Sequence, residues 1–86
     1  MEKVRIRKII EDIIITQFLN SEIDIVHEED VTFKELGLDF LDEIELGMEV
    51  EKELGILIYN NEMGNIKSIK DMTNIVYKIK TEGHGK

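Results

Sequence analysis

Two separate apolar stripes run along the predicted helix at residues 39–54, and this pattern constrains the fold more than any other feature of the sequence. On a helix that advances about 100° per residue, the first stripe consists of Leu46, Val50 and Leu54. The second lies about 150° away and consists of Leu41, Ile44 and Met48. A helix packed on one core needs only the first stripe. We therefore predict that the second stripe lies under another segment or faces a partner.

The same helix is acidic and has a well-marked start. Asp39 is a preferred N-cap residue, and Asp42 follows three residues later, as in a capping box. Both carboxylates also favour the positive end of the helix dipole. Gly37, just before the helix, suits a turn that needs φ above zero. Four acidic residues flank the second stripe, with Asp42, Glu45 and Glu49 on one side and Glu51 on the other.

Acidic residues are concentrated in the middle of the chain. Residues 21–62 contain fourteen acidic residues and two lysines, the ends are net basic, and the formal net charge is −8. Such a field steers a basic partner and raises its association rate, an effect that salt weakens. It argues against nucleic-acid binding, which needs clustered Lys and Arg. Charge alone is equally consistent with a helix that is merely soluble, and the apolar stripe beside the acids favours docking.

The remaining periodicity predicts an all-α domain at residues 1–80, followed by a flexible tail at 81–86. A first helix runs from residue 2 to about 19, although three successive isoleucines at 13–15 make a strand conceivable there. Residues 20–32 read as a long loop. A short third helix, capped by Asn60 or Asn61, ends at Met63. Ser68 caps the last helix, with Asp71 completing a capping box. Three longer helices and one short helix then surround one core that includes Ile6, Ile10, Phe33, Leu36, Leu46, Val50, Leu54, Met72, Ile75, Val76 and Ile79.

Several functional classes receive little support. The chain has no cysteine, which excludes disulfides and thiolate sites, and no apolar run approaches the roughly 18 residues of a membrane span. Without a signal-peptide pattern we expect a cytoplasmic monomer that does not bind membranes. His27 and His84 have no nucleophile or paired acid at a readable spacing, so no catalytic residue and no enzyme are predicted. The acidic first loop lacks the ligand spacing and central glycine of an EF-hand, and we predict no metal site.

Residues in and around the acidic helix resemble the acyl carrier protein family, whose signature is a Leu-Gly turn followed by Asp-Ser-Leu. The resemblance rests on Phe33, Glu35, Leu36, Gly37, Asp39, Leu41, Glu45 and Leu46, followed by Ile58, Ser68 and Ile69. It holds without a gap from residue 33 to residue 79. It implies a small four-helix bundle that carries 4'-phosphopantetheine. It also implies partners with a basic docking patch, namely the carrier transferase, synthases and acyltransferases, which would contact Asp42, Glu45 and Glu51.

Phe40 occupies the position at which the family has the serine that bears 4'-phosphopantetheine. It has no hydroxyl and cannot form the phosphodiester, so no cofactor is expected on this chain. Ser21 and Ser68 lack the Asp-x-Leu setting that a carrier transferase recognises. Gly47 costs the helix about 1 kcal/mol relative to Ala, which indicates that another group passes close to the backbone there. In the family an acyl chain can enter a cleft between these helices, and a missing side chain could widen it.

Three interpretations of Phe40 remain open: natural divergence of a carrier-shaped protein, a substitution introduced into a working carrier, or a convergent helical pattern. We favour an acyl-carrier-like binding module that docks basic partner proteins. Its predicted docking residues are Asp39, Leu41, Asp42, Ile44, Glu45, Met48, Glu49 and Glu51, with Phe40 as an aromatic anchor. The alternative is an acyl or aminoacyl carrier protein of fatty-acid, polyketide or related biosynthesis whose serine has been substituted.

Overall fold

The computed structural model describes residues 2–18, 24–58 and 63–82. In these ranges the chain forms three α-helices, α1 (Lys3–Gln17), α2 (Phe40–Leu54) and α3 (Ile69–Glu82), and a 3₁₀ helix at Asp24–His27. The described ranges contain no β-strand. Thr32 and Ser68 form an isolated antiparallel β-bridge. The prediction of an all-α fold with three longer helices is confirmed. No helix in these ranges is long and apolar enough to span a membrane.

The fourth, short helix stays a prediction. It was expected between α2 and α3, and all of it except Met63 falls on residues that lie outside the described ranges. The short element that the structure does contain lies in the first loop, at Asp24–His27, where we predicted irregular chain. Burial of Val26 explains it, because one tight turn brings this side chain onto the core. At the other end of the chain, α3 continues to Glu82, two residues past the predicted domain boundary.

One apolar core lies between the helices. In α1 the buried isoleucines at positions 6, 10, 13 and 14 recur at helical spacing, so helical periodicity prevails over the β preference of the isoleucine run. α1 packs against both α2 and α3. Within the described ranges, the three α-helices supply ten of the buried apolar side chains and the connecting segments supply eight. Five of their buried side chains were not among the predicted core residues: Val26, Leu38, Ile56, Ile58 and Ile66.

Arg7 of α1 binds the first loop. Arg7 donates hydrogen bonds to the backbone carbonyls of Glu28 and Glu29, and its Nε lies 2.8 Å from a carboxylate oxygen of Glu11. Farther along, the backbone N–H of Phe33 donates to the carbonyl of Lys67 at 2.9 Å. The segment that leads into α2 is therefore held by α1 on one side and by the start of α3 on the other.

Candidate partner-docking surface

The first turn of α2 is built by a reciprocal capping box. The backbone N–H of Asp42 donates to the Asp39 carboxylate at 2.8 Å, and the N–H of Asp39 donates to the Asp42 carboxylate at 3.1 Å. Gly37, at φ +82°, supplies the left-handed residue of the preceding turn. Asp39 and Asp42 thus hold the helix start through one oxygen each, which is a structural role in addition to any contact with a partner.

Phe40 is the first helical residue after this cap, and 68% of its surface is exposed. A side chain so placed points away from the core, as we predicted. Large apolar side chains are seldom left this accessible without reason when they cluster with others. Phe40 has such neighbours on the next turns of α2.

The two stripes of α2 separate as their spacing predicts. Leu46 and Val50 are fully buried, and Leu54 packs partly against the core. On the other side, Leu41 is 66% exposed, Met48 61% and Ile44 37%. No described segment covers the second stripe. We refer to the surface formed by Phe40, Leu41, Ile44 and Met48 as the apolar face of α2.

The acidic residues beside this face differ in their exposure and in their hydrogen bonds. Glu45 is exposed. Glu49 is half-buried and accepts a long hydrogen bond, 3.4 Å, from the Gln17 side chain. Glu51 is also half-buried and accepts a 2.6 Å hydrogen bond from the backbone N–H of Ile58. Glu51 therefore ties the segment after α2 back onto the helix, a role that the sequence pattern did not indicate.

A cleft of about 330 Å³ opens beside the apolar face and is called the α2 cleft below. One wall is a single face of α2, and the other belongs to the segment that follows it. The lining residues are Phe40, Glu43, Ile44, Gly47, Met48, Glu51, Ile58, Met63 and Gly64. Glu43 was not among the predicted site residues, although its position three residues after Phe40 places it on the same helical face.

None of the residues that line the α2 cleft has a hydroxyl or thiol group. Ser68 is only 8% exposed, and its oxygen accepts a 3.0 Å hydrogen bond from the backbone N–H of Asp71, as expected of a helix cap. Ser21 and His84 lie outside the described residues. His27 contacts Glu11 through Nδ1 at 3.2 Å, away from the cleft. Within residues 2–18, 24–58 and 63–82, no three His, Cys, Asp or Glu side chains are grouped as metal ligands would be.

Comparisons with known proteins agree on one family. The fold matches the crystal structure of the acyl carrier protein from Thermotoga maritima with a TM-score of 0.78 and 32% identity, covering 95% of this chain and 94% of that one. The chain belongs to the acyl carrier protein family. No family model matches it. The chain is also 38% identical over 53 residues to the acyl carrier protein of Rickettsia bellii (strain OSU 85-389), and this match covers 60% of the chain. It is 46% identical over 50 residues to that of Onion yellows phytoplasma (strain OY-M), which covers 57% of this chain.

The matched segments span 65% and 66% of these two curated acyl carrier proteins, so the sequence relationship covers about two thirds of each. Acyl carrier proteins are carrier proteins and not enzymes, in agreement with the prediction that this chain is not an enzyme. Members of the family normally carry 4'-phosphopantetheine and interact with biosynthetic enzymes.

Proposed function

We propose that this acyl carrier protein homologue is a cytoplasmic, monomeric docking module that binds basic partner proteins through α2 and carries no phosphopantetheine. The observation that carries the proposal is Phe40, which is exposed at the first position of α2, between Asp39 and Leu41. Attachment of 4'-phosphopantetheine requires a hydroxyl oxygen for the phosphodiester, and a benzyl side chain has none. The residue at this position therefore does not fit the group.

The apolar face of α2 supports the docking part of the proposal. Exposed aromatic and aliphatic side chains beside carboxylates provide what protein interfaces use, namely apolar anchors surrounded by charges that select and steer a partner. Phe40 extends this face by one large side chain at its N-terminal end. Replacement of a serine by Phe thus removes a tether and adds an anchor at the same position.

A second candidate function is that of a true acyl or aminoacyl carrier whose serine is substituted in this version. The observation that favours it is that the residues on either side of Phe40 match the family's signature. Asp39 and Leu41 flank it as the family's Asp and Leu flank the serine, and the capping box presents the position at the helix start. In that case the partners would be the enzymes of fatty-acid, polyketide or related biosynthesis.

Restoring the hydroxyl separates the two functions. The wild-type protein and the variants Phe40→Ser and Phe40→Ala are incubated with coenzyme A and a phosphopantetheinyl transferase and then weighed by mass spectrometry. Because Phe40 is mostly exposed, both variants should fold with a stability within about 0.5 kcal/mol of the wild type. We expect no mass increase for the wild type or for either variant if the surface has diverged to docking. An arm on Phe40→Ser that restores carrier activity would favour the second function, and an arm on the wild type would contradict the proposal.

Charge reversal tests the docking surface itself. The double variant Glu45→Lys and Glu49→Lys should associate with a basic partner more slowly, and the difference should shrink as salt is added. The matched control, Asp12→Lys with Glu28→Lys, changes the net charge equally at exposed positions away from α2. If both double variants slow association to the same extent, the effect comes from net charge and the proposed surface is wrong.

A further inference from the structure

We infer that the groove between α1 and α3 binds an acidic, extended segment of a second protein. This groove, called the α1–α3 groove below, has a volume of about 310 Å³. None of its described lining residues belongs to α2, so the inference goes beyond the proposed function. One further lining residue, Glu29, comes from the first loop. The helix residues are Lys3, Val4 and Arg7 of α1 and Lys70, Thr73 and Asn74 of α3.

The α1–α3 groove is basic in a chain that is otherwise strongly acidic. α1 begins with four basic residues in six positions, at residues 3, 5, 7 and 8, and residues 3–10 contain no acidic residue. The residues that line the groove include three cations and one carboxylate, whereas the α2 cleft is lined by two carboxylates and no cation. This contrast steers an acidic partner to the groove and away from α2.

The first loop already shows the kind of contact that the groove makes. The Lys70 ammonium lies 3.4 Å from the Asp30 carboxylate and 3.7 Å from that of Glu29. Arg7 binds the backbone carbonyls of Glu28 and Glu29. The carboxylates that pair with Lys70 are 77% and 81% exposed, and ion pairs in such positions contribute little to stability. A carboxylate of a partner can therefore replace them at small cost.

The other end of the groove is open. The Lys3 ammonium lies 5.0 Å from the centre of the Tyr77 ring, and within the described residues it has no carboxylate partner. Val4 beside it is 80% exposed, and Asn74 is exposed as well. An acidic segment that enters here finds a cation, an amide donor and an apolar surface against which the methylene groups of a Glu side chain can pack.

The positions of the two lysines favour an extended chain over a compact anion. Lys3 lies against Tyr77, which is two helical turns, or about 10 Å, along α3 from Lys70. Carboxylates two or three residues apart on an extended chain are separated by about 7–10 Å and can reach both lysines. Arg7 already uses three of its N–H groups on Glu11 and the first loop, so little of the fork that binds phosphate is left.

A synthetic peptide tests the inference without knowledge of the natural partner. The probe is a short fluorescent peptide in which Glu alternates with Thr, and the control probe has Gln in place of Glu. Binding to the full chain is followed by fluorescence anisotropy at low salt. Methyl NMR of Val4 and Thr73 reports whether the groove is filled, and the methyl signals of Leu41 and Met48 report on α2. We expect the Glu peptide to bind and to shift the groove signals alone, and the Gln peptide not to bind.

Two pairs of lysine variants give a matched comparison. Lys3→Ala with Lys70→Ala removes two cations that line the groove, and Lys34→Ala with Lys52→Ala removes two that do not. All four lysines are exposed, so both double variants should fold and have the same net charge. The groove pair should weaken binding of the Glu peptide about fivefold, and the control pair less than about twofold. The loss should shrink as salt is added.

A third pair should change binding in the opposite direction. Glu29→Gln with Asp30→Asn removes the carboxylates that compete for Lys70 and should strengthen binding of the Glu peptide about threefold. Its control, Asp12→Asn with Glu53→Gln, changes the net charge equally at exposed positions that do not line the groove, and it should strengthen binding less. A gain of affinity cannot result from a damaged fold.

Four outcomes would overturn the inference. The first is that the Glu peptide does not bind. The second is that the groove and control lysine pairs weaken binding equally, because net charge then explains the effect. The others are that sodium phosphate or phosphatidylglycerol vesicles shift the Val4 signals at lower concentrations than the peptide, which would make the groove a site for a small anion or a membrane. All four leave the proposed function standing, because that function is tested with a basic partner and with variants of α2.

Discussion

The terminal methyl carbon of Met63 lies 2.8 Å from the position that a β-carbon on Gly47 would occupy, and its sulfur lies 3.1 Å from the same point. The glycine therefore allows the Met63 side chain to rest on the backbone of α2. We predicted from the cost of a glycine inside a helix that another group passes close to residue 47, and Met63 is that group. The contact also defines the floor and one wall of the α2 cleft.

A cycle of Gly47→Ala and Met63→Ala tests this contact. In the Met63→Ala background, Gly47→Ala should raise the free energy of unfolding by about 1 kcal/mol, because alanine is the better helix former. In the wild-type background the gain should be smaller, since the Met63 tip must move away. Urea denaturation gives both values. Equal gains in the two backgrounds would show that the contact does not limit residue 47.

The cap at Asp39 should contribute measurably to stability. Asp39→Ala removes the acceptor for the Asp42 N–H and should lower the free energy of unfolding by about 1 kcal/mol. Asp39→Asn keeps an oxygen acceptor and should lower the free energy of unfolding by only a few tenths of about 1 kcal/mol. Thermal and urea unfolding followed by circular dichroism provide the measurement. A loss in the Asn variant equal to that in the Ala variant would assign the effect to charge rather than to the capping hydrogen bond.

Glu51 should behave as a structural residue as well as a surface acid. Glu51→Ala leaves the backbone N–H of Ile58, a buried residue, without its carboxylate acceptor and should destabilise the fold by roughly 1–3 kcal/mol. Glu51→Gln removes the charge but keeps an oxygen acceptor, so it should retain most of the stability. Hydrogen exchange of the Ile58 amide is the local readout. Unchanged exchange in Glu51→Ala would mean that this N–H does not depend on Glu51.

The two stripes of α2 should differ sharply in their sensitivity to truncation. Leu46 is fully buried, and Leu46→Ala should lower the free energy of unfolding by about 2–5 kcal/mol. Leu41→Ala, at an exposed position on the same helix, should change it by no more than about 0.5 kcal/mol. Ile75 was predicted as core and is only half-buried, so its truncation should fall between these limits. Urea titrations of the three variants give the ranking, and a costly Leu41→Ala would mean that the second stripe is covered in solution.

Most of α2 could be predicted because its determinants are local. The cap, the capping box and the left-handed Gly55 that ends the helix act over three or four residues. The prediction was weakest where segments without periodicity contribute to the core. Val26, Leu38, Ile56 and Ile66 do not belong to a helical repeat sustained over several turns, yet all four are buried in the connecting segments. The 3₁₀ helix around Val26 follows from the same packing.

The sequence by itself therefore determined the three helices, the two separate apolar stripes of α2 and the Phe at its first position, because helical spacing and capping depend only on near neighbours. Only the tertiary structure decided that Glu51 binds the backbone of Ile58, that Met63 occupies the space above Gly47 and that a cleft lies between them. These contacts join α2 to the segment after it. Their geometry depends on how that segment packs against the whole core, which no local pattern specifies.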